Sequence, residues 1–349
     1  MNNKYFLLVS VFILLISKSG IAQQDYKAIK YVKELSSKQF SGRGYVNDGH
    51  LMASTFIEKK LKQFGYTTSL QKCTFPVNII TGKTLLKINN QTLIPGKDYI
   101  FDAGCPTIKG DFELVSISRH LFLITAVRDS FIKIAEGKFI LIRPEIPEDT
   151  IKKNVDSVFA ILRMLNKTSD LKITGIIYQD TNHCKYNIRQ KIIRYPIINI
   201  NTSTYYQNGT KISIDVKSNL LSKCESNNVI GIIKGYKYPD SIIVISAHYY
   251  HLGLMGETVF PGANDNASGT AMMLGIAKYF AQHPQKFSIV CIAFTGEELG
   301  MLGSKHYIEN PLYPLNQISF LLNIDMIGTG EEGIKVVNGS ELKRQFSYL

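Results

Sequence analysis

The sequence lacks an apolar run long enough to span a membrane. Its N-terminal run, Tyr5 to Ile16, has 12 residues and is closed by Ser17-Lys18, against the roughly 20 that a spanning helix needs. No cysteine follows that segment to take a lipid, because Gln23 comes after Ala22. The five cysteines, Cys73, Cys105, Cys184, Cys224 and Cys291, include no C-x-x-C spacing, which excludes the paired-cysteine metal and redox motifs. Being odd in number, they leave one or two disulfides open without fixing a pairing. No internal repeat or low-complexity tract is present. The formal charge of +12 is not gathered into one basic stripe interleaved with aromatics, so it does not read as a nucleic-acid footprint. A solvated basic surface is expected instead, with some attraction for acidic peptides or envelope polymers.

What is present begins with a secretory signal. Residues 1–22 combine Lys4, the apolar run and the small residues Gly20 and Ala22, the three parts of such a signal. Cleavage is expected near Ala22, leaving a secreted or periplasmic chain with no stable membrane anchor. Lys4 and Lys18 leave with it, which lowers the formal +12 to +10. A length of 349 residues allows two domains, and 45% hydrophobic with 19% charged residues is an ordinary globular balance.

The stretch from Ile242 to Asp325 organises the rest. Ile242 to Ser246, Ile289 to Phe294 and Phe320 to Ile324 read as buried strands, and each is followed by a metal-ligand type: His248, Glu297-Glu298 and Asp325. A fourth candidate, Asp265, lies in Gly262-Ala263-Asn264-Asp265-Asn266-Ala267-Ser268-Gly269. That segment precedes a helical pattern at Met273, Ile276, Ala277 and Phe280. In open α/β sheets, ligands bind beyond the carboxyl ends of the strands. An imidazole gathered there with carboxylates fits zinc, whereas carboxylates alone would favour magnesium or calcium. Asp265 has two oxygens with which to bridge a pair of ions. Of the adjacent acids, one suits metal ligation and the other, Glu297, suits proton transfer. Each feature also has a plain structural explanation. Two glutamates suit the first turn of a helix, Asn264-Asp265-Asn266 suits a turn with an N-cap, and a lone His after a strand is commonly structural.

These residues carry a resemblance. Ser246-Ala247-His248-Tyr249-Tyr250-His251-Leu252-Gly253, the GANDNASG segment from Gly262, Phe294-Thr295-Gly296-Glu297-Glu298-Leu299-Gly300 and Asn323-Ile324-Asp325-Met326-Ile327-Gly328 resemble the secreted two-zinc aminopeptidase family. Bacterial leucyl aminopeptidases, aminopeptidase Y and glutamate carboxypeptidase belong to it. The resemblance implies that His248 and Asp325 hold one zinc, that Asp265 bridges, that Glu298 holds the second, and that Glu297 is the general base. It implies peptide or protein substrates.

The chain departs from that pattern twice. The third position of the first motif, an Asp in the family, is Tyr250 here, and a neutral hydroxyl is a poor substitute for a carboxylate that orients a metal-bound imidazole. His251 is not expected to compensate, since active members also carry a His there. The family's last ligand, a His well beyond the Asp325 motif, is not met before Leu349. A strand at Ile334 to Val337 and a helix from Glu341 are the last elements expected. The peptidase domain therefore reads as C-terminally incomplete, the second metal keeps only Asp265 and Glu298, and His306 is too far along to share an ion. A peptide-binding protein that has lost hydrolysis is the alternative; a glutaminyl cyclase-like acyltransferase is a weaker one, since it also uses the late His.

The fold class expected is α/β: a mixed, mostly parallel sheet with flanking helices, plus an inserted β-rich domain. The signal occupies 1–22 and a helical part of the peptidase domain 23–73. In that part Ile29, Val32 and Leu35 form one stripe and Ala53, Phe56, Ile57, Leu61 and Phe64 a second, separated by Ser41-Gly42-Arg43-Gly44. Residues 74–226 read as the insert, with strands at Leu85 to Ile88, Phe112 to Ile117, Leu121 to Thr125, Phe139 to Ile142, Gly175 to Tyr178 and Ile197 to Ile200. It resembles the protease-associated domain that such peptidases carry. Residues 227–349 return to the peptidase domain, beginning with a strand and turn at Asn227 to Gly235 that includes the apolar Val229 to Ile233.

Overall fold

A computed structural model describes residues 28–144, 158, 160–162, 164–165, 172–180, 185–201, 211–330, 333 and 335–337. The first helices are α1 (Ala28–Leu35) and α2 (Gly49–Gln63), followed by β1 (Thr67–Ile88), β2 (Gln91–Thr92), β3 (Tyr99–Phe101) and β4 (Ile108–Ser118). Then come α3 (Arg119–Leu123), α4 (Thr125–Ile134), β5 (Phe139–Arg143), β6 (Gly175–Asp180) and β7 (Ile197–Asn201). The last third contains β8 (Lys211–Ile233), β9 (Tyr238–His248), β10 (Gly253–Met255), β11 (Thr258–Phe260), α5 (Gly269–Gln282), β12 (Phe287–Phe294), α6 (Leu302–Glu309) and β13 (Ile318–Asn323).

Two long strands, β1 and β8, form the spine. They pair antiparallel from Thr67↔Ile232 to Ile88↔Ile212. Their far ends carry strands of the region expected as an insert, where β4, β5, β6 and β7 run parallel and β3 closes antiparallel on β7. Their near ends carry the site: β12 pairs antiparallel with β8, and β9 lies parallel between β12 and β13. The sheet is thus mixed with flanking helices, as expected, and parallel through the strands that deliver the site. The expected limits of the insert, 74 and 226, fall within this continuous ladder, where Cys73 faces Ser226 and Thr74 faces Glu225.

Period-two alternation sorts the near end into two layers. Ile245, Ala247, Ile289, Cys291 and Ala293 pack under α1, α2 and α5. Val244, Ile242, Val290 and Ile292 face the other way, onto Tyr307 of α6. A separate core at the far end includes Leu86, Phe139, Leu141, Ile177 and Ile198, with Met255 of β10.

The second helical stripe is as expected: Ala53, Ile57 and Leu61 are fully buried in α2. The first is rotated. Ala28, Tyr31 and Leu35 are buried, while Ile29 is 70% exposed, because Tyr31 supplies the large apolar body of that face. The strand expected at Leu121 to Thr125 is overturned, since the segment spans the end of α3 and the start of α4. The cause is topological. Leu114 of β4 pairs in parallel with Phe139 of β5, and parallel neighbours need a crossover. Phe122 is buried in that crossover, while Leu121 and Ile124 are exposed. Of the strand expected at Ile334 to Val337, only 335–337 are described, and they pair with no strand among the described residues. The expected signal at 1–22, Cys184 and the helix expected from Glu341 lie outside the described residues. The four described cysteines are buried and free. No helix among the described residues is long and apolar enough to cross a membrane.

Candidate metal centre

The parallel register places the site. Phe294 faces His248, and Asn323 faces Ser246, so the chain leaves β9, β12 and β13 at nearly the same level. Ile324 N–H donates to the Ser246 carbonyl at 2.8 Å, and Ser246 Oγ donates to Asn323 Oδ1 at 2.9 Å. Asp325 therefore emerges beside His248.

Asp265 arrives from the turn before α5, and that turn is tied to the end of β13. Asn266 Nδ2 donates to the Ile324 carbonyl at 3.0 Å. Its Oδ1 accepts from Gly269 N–H at 2.8 Å and from Met326 N–H at 3.2 Å. Asn264 Oδ1 accepts from Gly328 N–H at 2.7 Å. The polar residues around Asp265, which read as a turn with an N-cap, are a clamp between two ligand-bearing segments. Glu297 and Glu298 sit in a separate 3₁₀ turn, Glu297–Leu299, entered through Gly296 at φ 60°. They precede α6 and are not its first turn.

His248 Nε2 lies 3.2 Å from Asp325 Oδ1 and 3.3 Å from Asp265 Oδ1. Metal–ligand bonds of about 2.0–2.1 Å imply a tetrahedral edge of about 3.3 Å, so this trio fits one zinc. Two carboxylates converging on one nitrogen also demand a positive charge. Burial alone would lower the His248 pKa, but hydrogen bonds to Asp265 and Asp325 override it and push the imidazole up to about 10. The His248 hydrogen bond also lowers the Asp265 carboxyl. On its other side, His248 Nδ1 is 3.0 Å from the Tyr250 carbonyl. A carbonyl only accepts, so Nδ1 carries hydrogen and Nε2 faces the carboxylates.

Glu298 is joined by a residue that the sequence reading set aside. His251 Nδ1 lies 2.9 Å from Glu298 Oε1 and 4.0 Å from Asp265 Oδ1, and these three form a second ligand-competent group. His306 belongs to neither group among the described residues. Glu297 stands outside both groups. Burial raises its pKa, and Glu298, Asp325 and Asp265 add to the rise against the opposing effect of His248. Glu297, His248 and Asp325 together line a pocket of about 300 Å³ whose other walls include Val244, Ile292, Phe294 and Leu321.

A second residue missed in the sequence is Arg43, fully buried. Its guanidinium donates to the carbonyls of Tyr249 (2.8 Å), Leu35 (3.0 Å), Pro261 (2.8 Å) and Gly262 (2.7 Å), with a longer contact to Asp265 O at 3.4 Å. Burial lowers its pKa to about 10 against the attraction of Asp265 and Glu298, so it stays charged at neutral pH. The break Ser41-Gly42-Arg43-Gly44 thus pins the loops after β9 and before α5. In the sequence it stands in the glycine-rich break Ser41-Gly42-Arg43-Gly44 between the two helical stripes.

The sequence model for Peptidase family M28 matches residues 228–349. The aminopeptidase YwaD of Bacillus subtilis strain 168 is 39% identical over 127 residues, which cover 36% of this chain and 27% of that protein. A probable zinc metalloprotease of Pyrenophora teres f. teres is 28% identical over 210 residues, covering 55% of this chain and 42% of that one. The chain thus spans less than half the length of these relatives. Among solved structures, a zinc aminopeptidase from Bacillus subtilis superposes with a TM-score of 0.61 at 21% identity, covering 87% of this chain and 70% of that one. An aminopeptidase from Aneurinibacillus sp. strain AM-1 gives 0.52 at 20%, covering 86% and 70%. Those two likenesses are of fold. His248, Asp265, Glu297, Glu298 and Asp325 all lie inside the segment, residues 228–349, that matches the model for Peptidase family M28.

Proposed function

We propose that this chain is a zinc-dependent aminopeptidase that removes N-terminal residues from peptides. The observation that carries the reading is the convergence of His248, Asp265 and Asp325 at tetrahedral spacing, at one end of a pocket that Glu297 also lines. His248, Asp265 and Asp325 would hold one zinc, and Glu298 with Asp265 would face a second. Zinc, when bound, supplies a Lewis acid for the scissile carbonyl and an acidified water. Glu297 accepts the proton of the attacking water on a carboxylate oxygen and hands it to the nitrogen of the leaving amine. Its raised proton affinity suits both transfers. The predominantly apolar pocket walls exclude water and receive an apolar substrate side chain. The composition of residues 1–22 supports secretion, to the periplasm or outside the cell.

The test compares amino-acid 4-nitroanilides with their N-acetylated forms in zinc-titrated protein. Hydrolysis of the free-amine substrates alone, lost in His248→Ala, is the expected outcome. A zinc-loaded chain that binds peptides but releases no 4-nitroaniline would overturn it in favour of a binding protein.

A further inference from the structure

His251 is set up as more than a neighbour of the site. Its ring is buried, and its Nδ1 points at Glu298 Oε1 (2.9 Å) and Asp265 Oδ1 (4.0 Å). The mean of these distances is close to the tetrahedral edge of about 3.3 Å implied by zinc bonds to nitrogen and oxygen. A movement of about half an ångström by each carboxylate, Glu298 outward and Asp265 inward, equalises them.

The slot that holds the ring is built by the backbone. Gly262 has φ +55°, and a Cβ placed on it would lie 2.3 Å from His251 Cδ2 and 2.3 Å from the Asp265 carbonyl oxygen. Only a glycine leaves room for the His251 ring beside that turn. On the other side, His251 N–H donates to the Arg43 carbonyl at 3.3 Å, so the residue whose guanidinium pins the Asp265 loop also fixes the His251 backbone. Ring and carboxylate are thus held by one scaffold.

The charges point the same way. Glu298 and Asp265 bring two carboxylates to one imidazole nitrogen, repeating what Asp265 and Asp325 do at His248. An imidazole with carboxylates is a ligand set for zinc-like cations, not for magnesium or calcium. We propose that His251 is a metal ligand in this chain, closing with Glu298 and Asp265 a second three-ligand site for a zinc-like divalent cation that shares Asp265 with the first. This inference rests on the metallopeptidase reading above and adds a ligand to it.

Cobalt(II) serves as the probe, titrated into metal-free full chain and followed by bound metal per chain and by visible and near-ultraviolet absorption. Wild type is expected to take up two equivalents, and His306→Ala, a control outside both groups, the same two. His251→Ala is expected to keep its circular dichroism and lose more than about 100-fold in affinity for one equivalent, beyond the 10- to 100-fold typical of an outer-sphere partner. His251→Cys guards against a merely structural loss. A thiolate-to-cobalt charge-transfer band in that variant requires the side chain at position 251 to touch the metal. Folded His251→Cys without that band, or His251→Ala with two unchanged equivalents, would overturn the assignment. Wild type with one equivalent, lost in His248→Ala, would overturn it and leave the peptidase reading standing; no uptake at all would sink both.

Discussion

His248 Nδ1 lies 3.0 Å from the main-chain carbonyl oxygen of Tyr250. The sequence places a tyrosine where the resembling family has the aspartate that orients this imidazole, and the structure answers with the backbone of the same residue. The Tyr250 side chain points elsewhere, fully buried and 4.5 Å between ring centroids from Tyr45. Orientation and packing are divided between the two halves of one residue.

Tyr250→Phe is therefore expected to leave the affinity of the His248 site for zinc within about threefold, well short of the 10- to 100-fold that follows loss of an orienting partner. Competitive chelator titration measures it. A tenfold or greater loss would show that the hydroxyl, not the carbonyl, does the orienting.

Arg43→Lys removes a planar fork with five donors and substitutes three on a flexible stem. At least two charged hydrogen bonds to buried carbonyls cannot be remade, at roughly 1.5–3 kcal/mol each. Urea unfolding of the metal-free protein is expected to show a loss of about 3 kcal/mol or more, and zinc affinity is expected to fall with it because Asp265 shares the anchored loop. An unchanged midpoint would remove Arg43 from this role.

His248 makes metal-free stability depend on pH. Its folded pKa of about 10 lies above the ordinary 6.5. Its contribution is thus complete below about pH 6.5 and is lost as pH rises through about 10. With chelator present, the urea midpoint is expected to fall across that window, and to fall less in His248→Gln. Zinc binding shows the opposite trend, tightening with pH because the metal displaces the His248 proton. A flat profile in the metal-free protein would contradict the His248–carboxylate pairing.

Gly262→Ala puts a Cβ into the His251 slot at a left-handed φ of +55°. The backbone alone costs about 1–2 kcal/mol. Thermal unfolding is expected to show at least that loss, and cobalt titration is expected to show weakening at the His251–Glu298 group before the His248 group. Equal weakening of both would mean that the slot supports the whole turn and not the ring.

Much of the candidate site was legible because each candidate ligand of the parallel strands follows an apolar run, as His248 follows Ile242 to Ser246. Two contributors were not. Arg43 and Asp265 are 222 residues apart, and nothing local distinguishes a pinning arginine from a surface one. His251 has no pattern of its own; the turn through Tyr249-Tyr250 brings its imidazole to the same cluster as His248. The spine strands were legible only at their ends, Leu85 to Ile88 and Val229 to Ile233, because the middle of β1 mixes buried and exposed positions with polar residues such as Gln71, Lys72 and Asn78. Apolar content alone could not assign Leu121 to Thr125; the parallel pairing of β4 with β5 made it helical.

The most direct test is Glu297→Gln, with zinc content and leucine 4-nitroanilide hydrolysis measured on the same sample as wild type. Equal zinc per chain with turnover reduced about 10²- to 10⁴-fold is the expected result for loss of the group that moves the proton. Unchanged turnover in the variant, or a zinc-loaded wild type with none, would contradict hydrolysis at this site.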